Sequence, residues 1–230
     1  MTGRNKRGGP AGRVLFAVVL AAPLLVFVAA LGTRFGLWSY ATGYERLAMQ
    51  AGPGLAVLGA LAALVLLVMA LRGRASAVLA VAALLVSGAT VGGYAWQISQ
   101  FRSAPLDDIS TDLVEVPGFG VLNERRGPQG SLRVGGVASC PGAVPAMTQV
   151  APEAAVWALQ EAGFSLQGGV AVHRVAGTHR GFWFGTVHDA VVRIRPGRTD
   201  VRVTARDGRA HGGEACRLAT RISEGLRTGG

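Results

Sequence analysis

Lysine is almost missing from this 230-residue chain. Lys6 is the single one, and arginine carries the rest of a formal net charge of +10. Acidic residues are nearly missing from the first part. Residues 1–101 hold 8 basic and 1 acidic side chain, net +7, while residues 102–230 hold 15 and 12, net +3. The positive excess therefore flanks the apolar runs. No basic stripe interleaved with aromatics occurs, and such a stripe is the footprint of nucleic-acid binding. Nucleic acid is set aside as a partner on that ground. The HExxH, GxSxG and CxxC patterns and a phosphate-binding P-loop are also missing, so no motif-borne chemistry is indicated.

Charge is missing as well from three long apolar runs, at about 14–31, 55–71 and 75–96. Each is long enough, or nearly so, to cross a hydrocarbon core, and each is apolar on every side. Pro23 lies inside the first, which membrane helices tolerate. Arg4, Lys6, Arg7 and Arg13 precede the first run, and Arg72 with Arg74 lies between the second and third. Only Arg34, Glu45 and Arg46 lie between the first and second. By the positive-inside rule the N-terminus is cytoplasmic and the chain after the third span is extracytoplasmic. Trp38, Tyr40, Tyr44, Tyr94 and Trp96 fall at the expected outer interface. The first run is long for a signal peptide and no clear small-x-small cleavage site follows it; cleavage, the alternative, would still leave two spans and the C-terminal domain outside. Gly88 and Gly92 form a small-xxx-small pair, expected to pack within the three-helix bundle. The spans hold no ionisable side chain, which argues against an ion or proton pathway.

The expected organisation is a three-helix transmembrane region at 1–101, a Pro/Gly-rich linker and loop at 102–148, and an extracytoplasmic α+β domain at 149–230. In that domain Pro152 and Glu153 open a helix that Gly163 stops. Strands are expected at 170–175, 182–187, 190–195 and 199–204, the last two forming a hairpin through Pro196-Gly197. A final helix is expected over 213–226, with Ala215, Leu218, Ala219, Ile222 and Leu226 on one stripe. The economical assembly is an antiparallel sheet with both helices on one face.

Four stretches resemble the membrane-attached branch of the domain-of-unknown-function family 1499 (DUF1499). They are residues 34–43 (RFGLWSYATG), residues 105–112 (PLDDISTD) followed by Pro117 and Phe119, residues 189–196 (DAVVRIRP), and the tail from Arg198 to Arg217. The motif residues so marked are Asp108, Thr111, Asp112, Asp189, Arg193, Arg202, Arg206, Gly208, Arg209, Gly213 and Arg217, with a structural or binding role. Asp107 stands where the family pattern has a His. Val203 and Ala205 replace serines, His211 replaces an acid and Ala215 an asparagine. The resemblance implies the architecture and no activity. Cys140 and Cys216 also depart from it jointly, as a private disulfide would. They are either bonded to each other or two small buried thiols.

His173, His179, His188 and His211 all lie in the external domain, with Asp189, Asp200 and Asp207 nearby in sequence. His188 and Asp189 are strand neighbours and point to opposite faces. Asp108, Ser110, Thr111 and Asp112 read as a turn rather than a cation site. Arg193, Arg195 and Arg202 share one hairpin face, followed by Arg206 and Arg209. This is a solvated face or a contact for anionic lipid. The leading expectation is an inner-membrane protein presenting a non-enzymatic binding or assembly domain in the cell envelope. Its partners are the bilayer and an envelope protein or anionic lipid, and no cofactor is expected. The alternatives are a hydrolase or metal-dependent enzyme using His188, His211 and nearby carboxylates, and a carrier of an apolar or lipid ligand held among Val192, Ile194, Leu218 and Ile222.

Overall fold

The computed structural model describes residues 10–103, 107–125, 133–169 and 171–229. Arg4, Lys6, Arg7, Pro105 and Val170, all used above, lie outside them. The chain divides into two compact units. The first runs to Ile98 and includes Trp183–Gly185, and the second holds Ser99–Phe182 and the residues from Thr186 onward.

The first unit is built on α1 (Pro10–Arg34), α2 (Gly52–Leu71) and α3 (Ala77–Ser103). A wider, π-wound segment, Ala41–Ala51, runs directly into α2. All three helical stretches are long and apolar enough to cross a membrane. Only 22, 28 and 17% of their apolar windows is buried, so most of that apolar surface faces outward and suits lipid rather than water. α1 and α2 meet through small residues: Ala22, Ala29 and Ala30 on one, Ala56, Gly59, Ala62 and Ala63 on the other. Without a hydrophobic drive between helices, close backbone approach of this kind supplies the attraction. At one end the Trp38 ring occupies the place a Cβ on Gly32 would take, and its Nε1 donates to the Ala29 carbonyl at 3.2 Å. Tyr94 Oη donates to Ala48 O at 3.0 Å, and Gln97 Nε2 donates to Tyr44 Oη at 3.0 Å. Four of the five expected belt aromatics, Trp38, Tyr40, Tyr44 and Tyr94, thus take part in packing within this unit.

One expectation fails here. Gly88 and Gly92 have nothing within 4 Å of a would-be Cβ, so this pair is not packed within the helical unit. α3 instead joins the helical core through Ala80 and Ala83, beside Val19, Ala62, Ala63 and Leu66.

The second unit is an antiparallel sheet with helices, as expected. Its strands are β1 (Asp108–Ser110), β2 (Ser165–Leu166), β3 (Arg174–Arg180), β4 (Val187–Arg195) and β5 (Arg198–Ala205), ordered β1-β5-β4-β3-β2. The β4–β5 hairpin turns at Pro196-Gly197, pairing Arg195 with Arg198 and Val192 with Val201. α4 (Pro152–Glu161) and α5 (Glu214–Thr228) bury Ala155, Leu159, Leu218, Ile222 and Leu226 in one core with Val175, Ala190, Val192, Ile194, Val201 and Val203. The other sheet face carries a smaller cluster of Phe119, Leu122, Ala176 and Val191.

Two strand expectations are corrected. The strand placed at 170–175 is β3, shifted to Arg174–Arg180. Val172 is 74% exposed, and it is Val175 that faces Val192. The strand placed at 182–187 is the turn after β3. Gly185, which already interrupts the apolar run, adopts φ +63°, a left-handed backbone that suits glycine in a turn. The region read as a linker is also corrected. Its described residues supply the edge strand β1 and the buried Phe119, Leu122, Cys140, Ala143 and Ala146. Cys140 and Cys216 form a disulfide across 76 residues of sequence. A closure of that length restricts the unfolded chain by on the order of 4 kcal/mol.

Candidate functional site

Alternation along β4 and β5 sends Ala190, Val192, Val201 and Val203 to the helix-covered core. It sends Asp189, Arg193, Asp200 and Arg202 to the opposite face. Three carboxylates on that face cannot be left uncompensated: Asp189 and Asp200 are 0% exposed and neighbouring Asp108 is 3% exposed. Arginines answer each of them. Arg202 grips Asp108 with both Nε (2.9 Å) and Nη2 (2.7 Å), donates Nη1 to Pro117 O at 3.1 Å, and lies 4.7 Å over the Phe119 ring. Arg206 binds Asp189 through Nη2 at 2.6 Å and Nε at 3.0 Å, with Thr178 Oγ1 as a further donor to Asp189 at 2.9 Å. Asp200 accepts from Arg195 Nη2 at 2.7 Å, Arg198 Nε at 2.8 Å and Thr111 Oγ1 at 3.0 Å. Asp112 accepts from Arg193 and Arg195, both at 2.8 Å, and from the backbone N–H groups of Glu115 and Val114. The Glu115 N–H leads the effects that hold the Asp112 carboxyl down at about 2, against burial and with help from Arg195, Val114 and Arg193.

The segment at 107–115 is therefore fastened to the sheet by arginines that sequence reading left open to solvent or lipid. Thr111 serves Asp200, and Ser110 Oγ donates to Asp112 O at 2.7 Å. Among the described residues no group of three metal-ligating side chains assembles.

The tail motif makes the corner between β5 and α5. Asp207 Oδ1 accepts the Arg209 N–H at 3.1 Å, while Gly208 and Gly213 take φ +67° and +75°. Arg217 donates to Gly212 O at 2.9 Å and to Glu214 at 2.7 Å.

The corner holds the one titratable cluster that faces the core side. Residue 213 is glycine and offers α5 no side-chain cap. Asp107 supplies the missing acceptor: its carboxylate takes the Ala215 N–H at 3.1 Å and the His211 N–H. An anion there also suits the positive end of the helix. His188 Nε2 lies 3.6 Å from Asp107 Oδ1 and 3.4 Å from His211 Nδ1, and His211 Nε2 lies 3.3 Å from Asp207 Oδ2. His188 is 0% exposed, and its Nδ1 has no hydrogen-bond partner among the described residues. Burial lowers the His188 pKa. The Asp107 side chain opposes that effect and the His211 ring adds to it. For Asp107, burial pushes upward, but the bonds from His188, Ala215 and His211 together hold its carboxyl below the usual range. Asp207 is lowered in the same way: burial raises it, and the His211 ring together with the Arg209 N–H and charge outweighs burial.

Of the four histidines only His188 and His211 come together. His179 Nδ1 meets Gly163 O at 2.8 Å, and His173 is exposed. Asp189 and Asp200 lie on the other sheet face. Asp107 was the member that sequence reasoning did not place in this cluster. The four residues named for a carrier pocket, Val192, Ile194, Leu218 and Ile222, are packed in the core at 0 to 4% exposure, which gives that alternative no support. The chain matches no known protein family, and no curated protein and no solved structure is similar to it.

Two outcomes are expected. Arg202→Ala strands Asp108 and should cost ~3 kcal/mol in denaturant unfolding of the full chain in detergent. Arg125→Ala, which removes only an exposed bond to Gln167, should stay within about 0.5 kcal/mol. The second concerns pH. The folded chain favours neutral His188, so its contribution is fully present above the ordinary value of 6.5 and is lost as pH falls below it. Asp107, His211 and Glu214 are the charged groups that act on it. The melting temperature should fall between about pH 7 and pH 5, and His188→Gln should flatten that slope. Asp112 acts lower, between 3.8 and about 2, where protonation removes its share.

Proposed function

We propose that this chain is an inner-membrane protein of the cell envelope, with its N-terminus cytoplasmic and its sheet domain extracytoplasmic. In this reading the domain is a non-enzymatic binding or assembly module. The observation that carries it is the internal closure of the domain's charge. Asp108, Asp112, Asp189 and Asp200 are each met by arginines of the same chain, and the histidine cluster is buried. Such a domain offers a rigid scaffold for contact rather than an open set of reactive groups. The Cys140–Cys216 disulfide supports an oxidising compartment, in agreement with the arginine asymmetry of the short loops. Anionic lipid at Arg193, Arg195, Arg202 and Arg206 is the weaker choice of partner, because those guanidinium groups already hold carboxylates.

Membership of the DUF1499 family is part of the same proposal. Several departures from that pattern lie together in the fold. The Asp107 carboxylate receives the His211 and Ala215 N–H groups, and the Asp107 carbonyl receives the Ala205 N–H. Four departures that touch one another read as one altered site.

A second reading rests on the Asp107–His188–His211–Asp207 chain, which has the carboxylate–imidazole contacts of acid–base catalysis. Substituting both histidines by glutamine without loss of a phenotype that needs the gene would remove it. For the leading reading, a reporter active only outside the cytoplasm, fused after the last residue, should be active in cells. Activity of a cytoplasm-only reporter at the same place would overturn the orientation. Cross-linking in intact cells should then yield a discrete adduct through the sheet domain, and its absence would count against assembly.

A further inference from the structure

The turn between β3 and β4 runs Gly181-Phe182-Trp183-Phe184-Gly185. Phe182 is 69% and Trp183 60% exposed, a large apolar area for the tip of a hairpin. Trp183–Gly185 cluster with the helical unit rather than with their own sheet. There the Phe184 ring stands edge-on to Tyr44 at 5.1 Å and to Tyr40 at 6.2 Å between centroids. Tyr40 and Tyr44 belong to the aromatic end of helices whose apolar surface suits lipid. Trp and Tyr concentrate where bilayer meets water, since their rings are apolar and their edges polar. Arg180, at the stem, is exposed and able to keep its charge among head groups while its stem lies on apolar surface.

We propose that this tip is a membrane-interface contact: Trp183, which groups with the helical unit, lies in the bilayer's interfacial layer and extends the belt begun by Tyr40 and Tyr44. The occupant is phospholipid, and the proposal rests on the membrane-anchored reading above.

The test uses the full chain in phosphatidylcholine nanodiscs. Tryptophan emission of wild type and Trp183→Phe is compared with and without lipids brominated near the head group. The difference between the two proteins isolates Trp183. The expected difference spectrum is blue-shifted and loses intensity in brominated lipid. A difference spectrum like that of a water-exposed indole, unquenched while the remaining tryptophans are quenched, overturns the tip contact and leaves the anchoring intact. If no tryptophan is quenched, the anchoring reading fails and the contact with it.

Discussion

A carboxylate without water must be answered by a cation or by hydrogen-bond donors, and the second unit is organised around that requirement. Asp107, Asp189 and Asp200 are all 0% exposed. Asp200 is met by Arg195 of β4 and Arg198 of β5, and Asp189 by Arg206 just past the end of β5, so the charge that neutralises this sheet face comes from the sheet and the residue that follows it. Asp108 and Asp112 lie on the segment that crosses this face, and the same arginine set holds them. Removal of one partner from such a pair leaves a desolvated ion, which costs more than the intact pair contributes. The register of residues 107–115 on the sheet follows from this. A slip by one residue would take Asp108 from Arg202 and place it on the core side.

Much of the architecture was legible. Three uncharged apolar runs can mean little except membrane-length helices, and strict alternation through 190–195 and 199–204 identified the β4–β5 hairpin. What stayed hidden has physical causes. β3 reads poorly because its inward positions include Gly177, whose Cβ position is crowded by Phe164, and His179. Its opposite positions are Ala176 and Thr178. β1 is three residues long and owes its place to the pairing of Ile109 with Val203. A strand that short has no period to detect. The tip at 182–184 has the composition of a strand and the backbone of a turn, and only its flanking glycines mark the difference.

The charged face was closer to being readable than the sequence analysis allowed. A tight turn at Pro196-Gly197 fixes Arg195 opposite Arg198, hence Arg193 opposite Asp200 and Val191 opposite Arg202. That register alone pairs one arginine with one buried carboxylate. The rest needed the long-range return of residues 107–115 to the edge of β5, which no local pattern announces. Asp107 is the clearest case. In sequence it is one acid in a run of two, next to the end of α3. In the fold it caps α5 from 108 residues away and touches His188.

The two units differ in where they place apolar surface. In the first, apolar side chains face outward, and Thr33, Thr90 and Tyr94 return their hydroxyls to helical carbonyls. Unmet donors in hydrocarbon are costly, so a carbonyl of the same or a neighbouring helix is the available acceptor. In the second, apolar residues are gathered on one sheet face under α4 and α5, and charge is gathered on the other. Trp183 and Phe184 group with the first unit, although the chain on either side of them continues into β3 and β4.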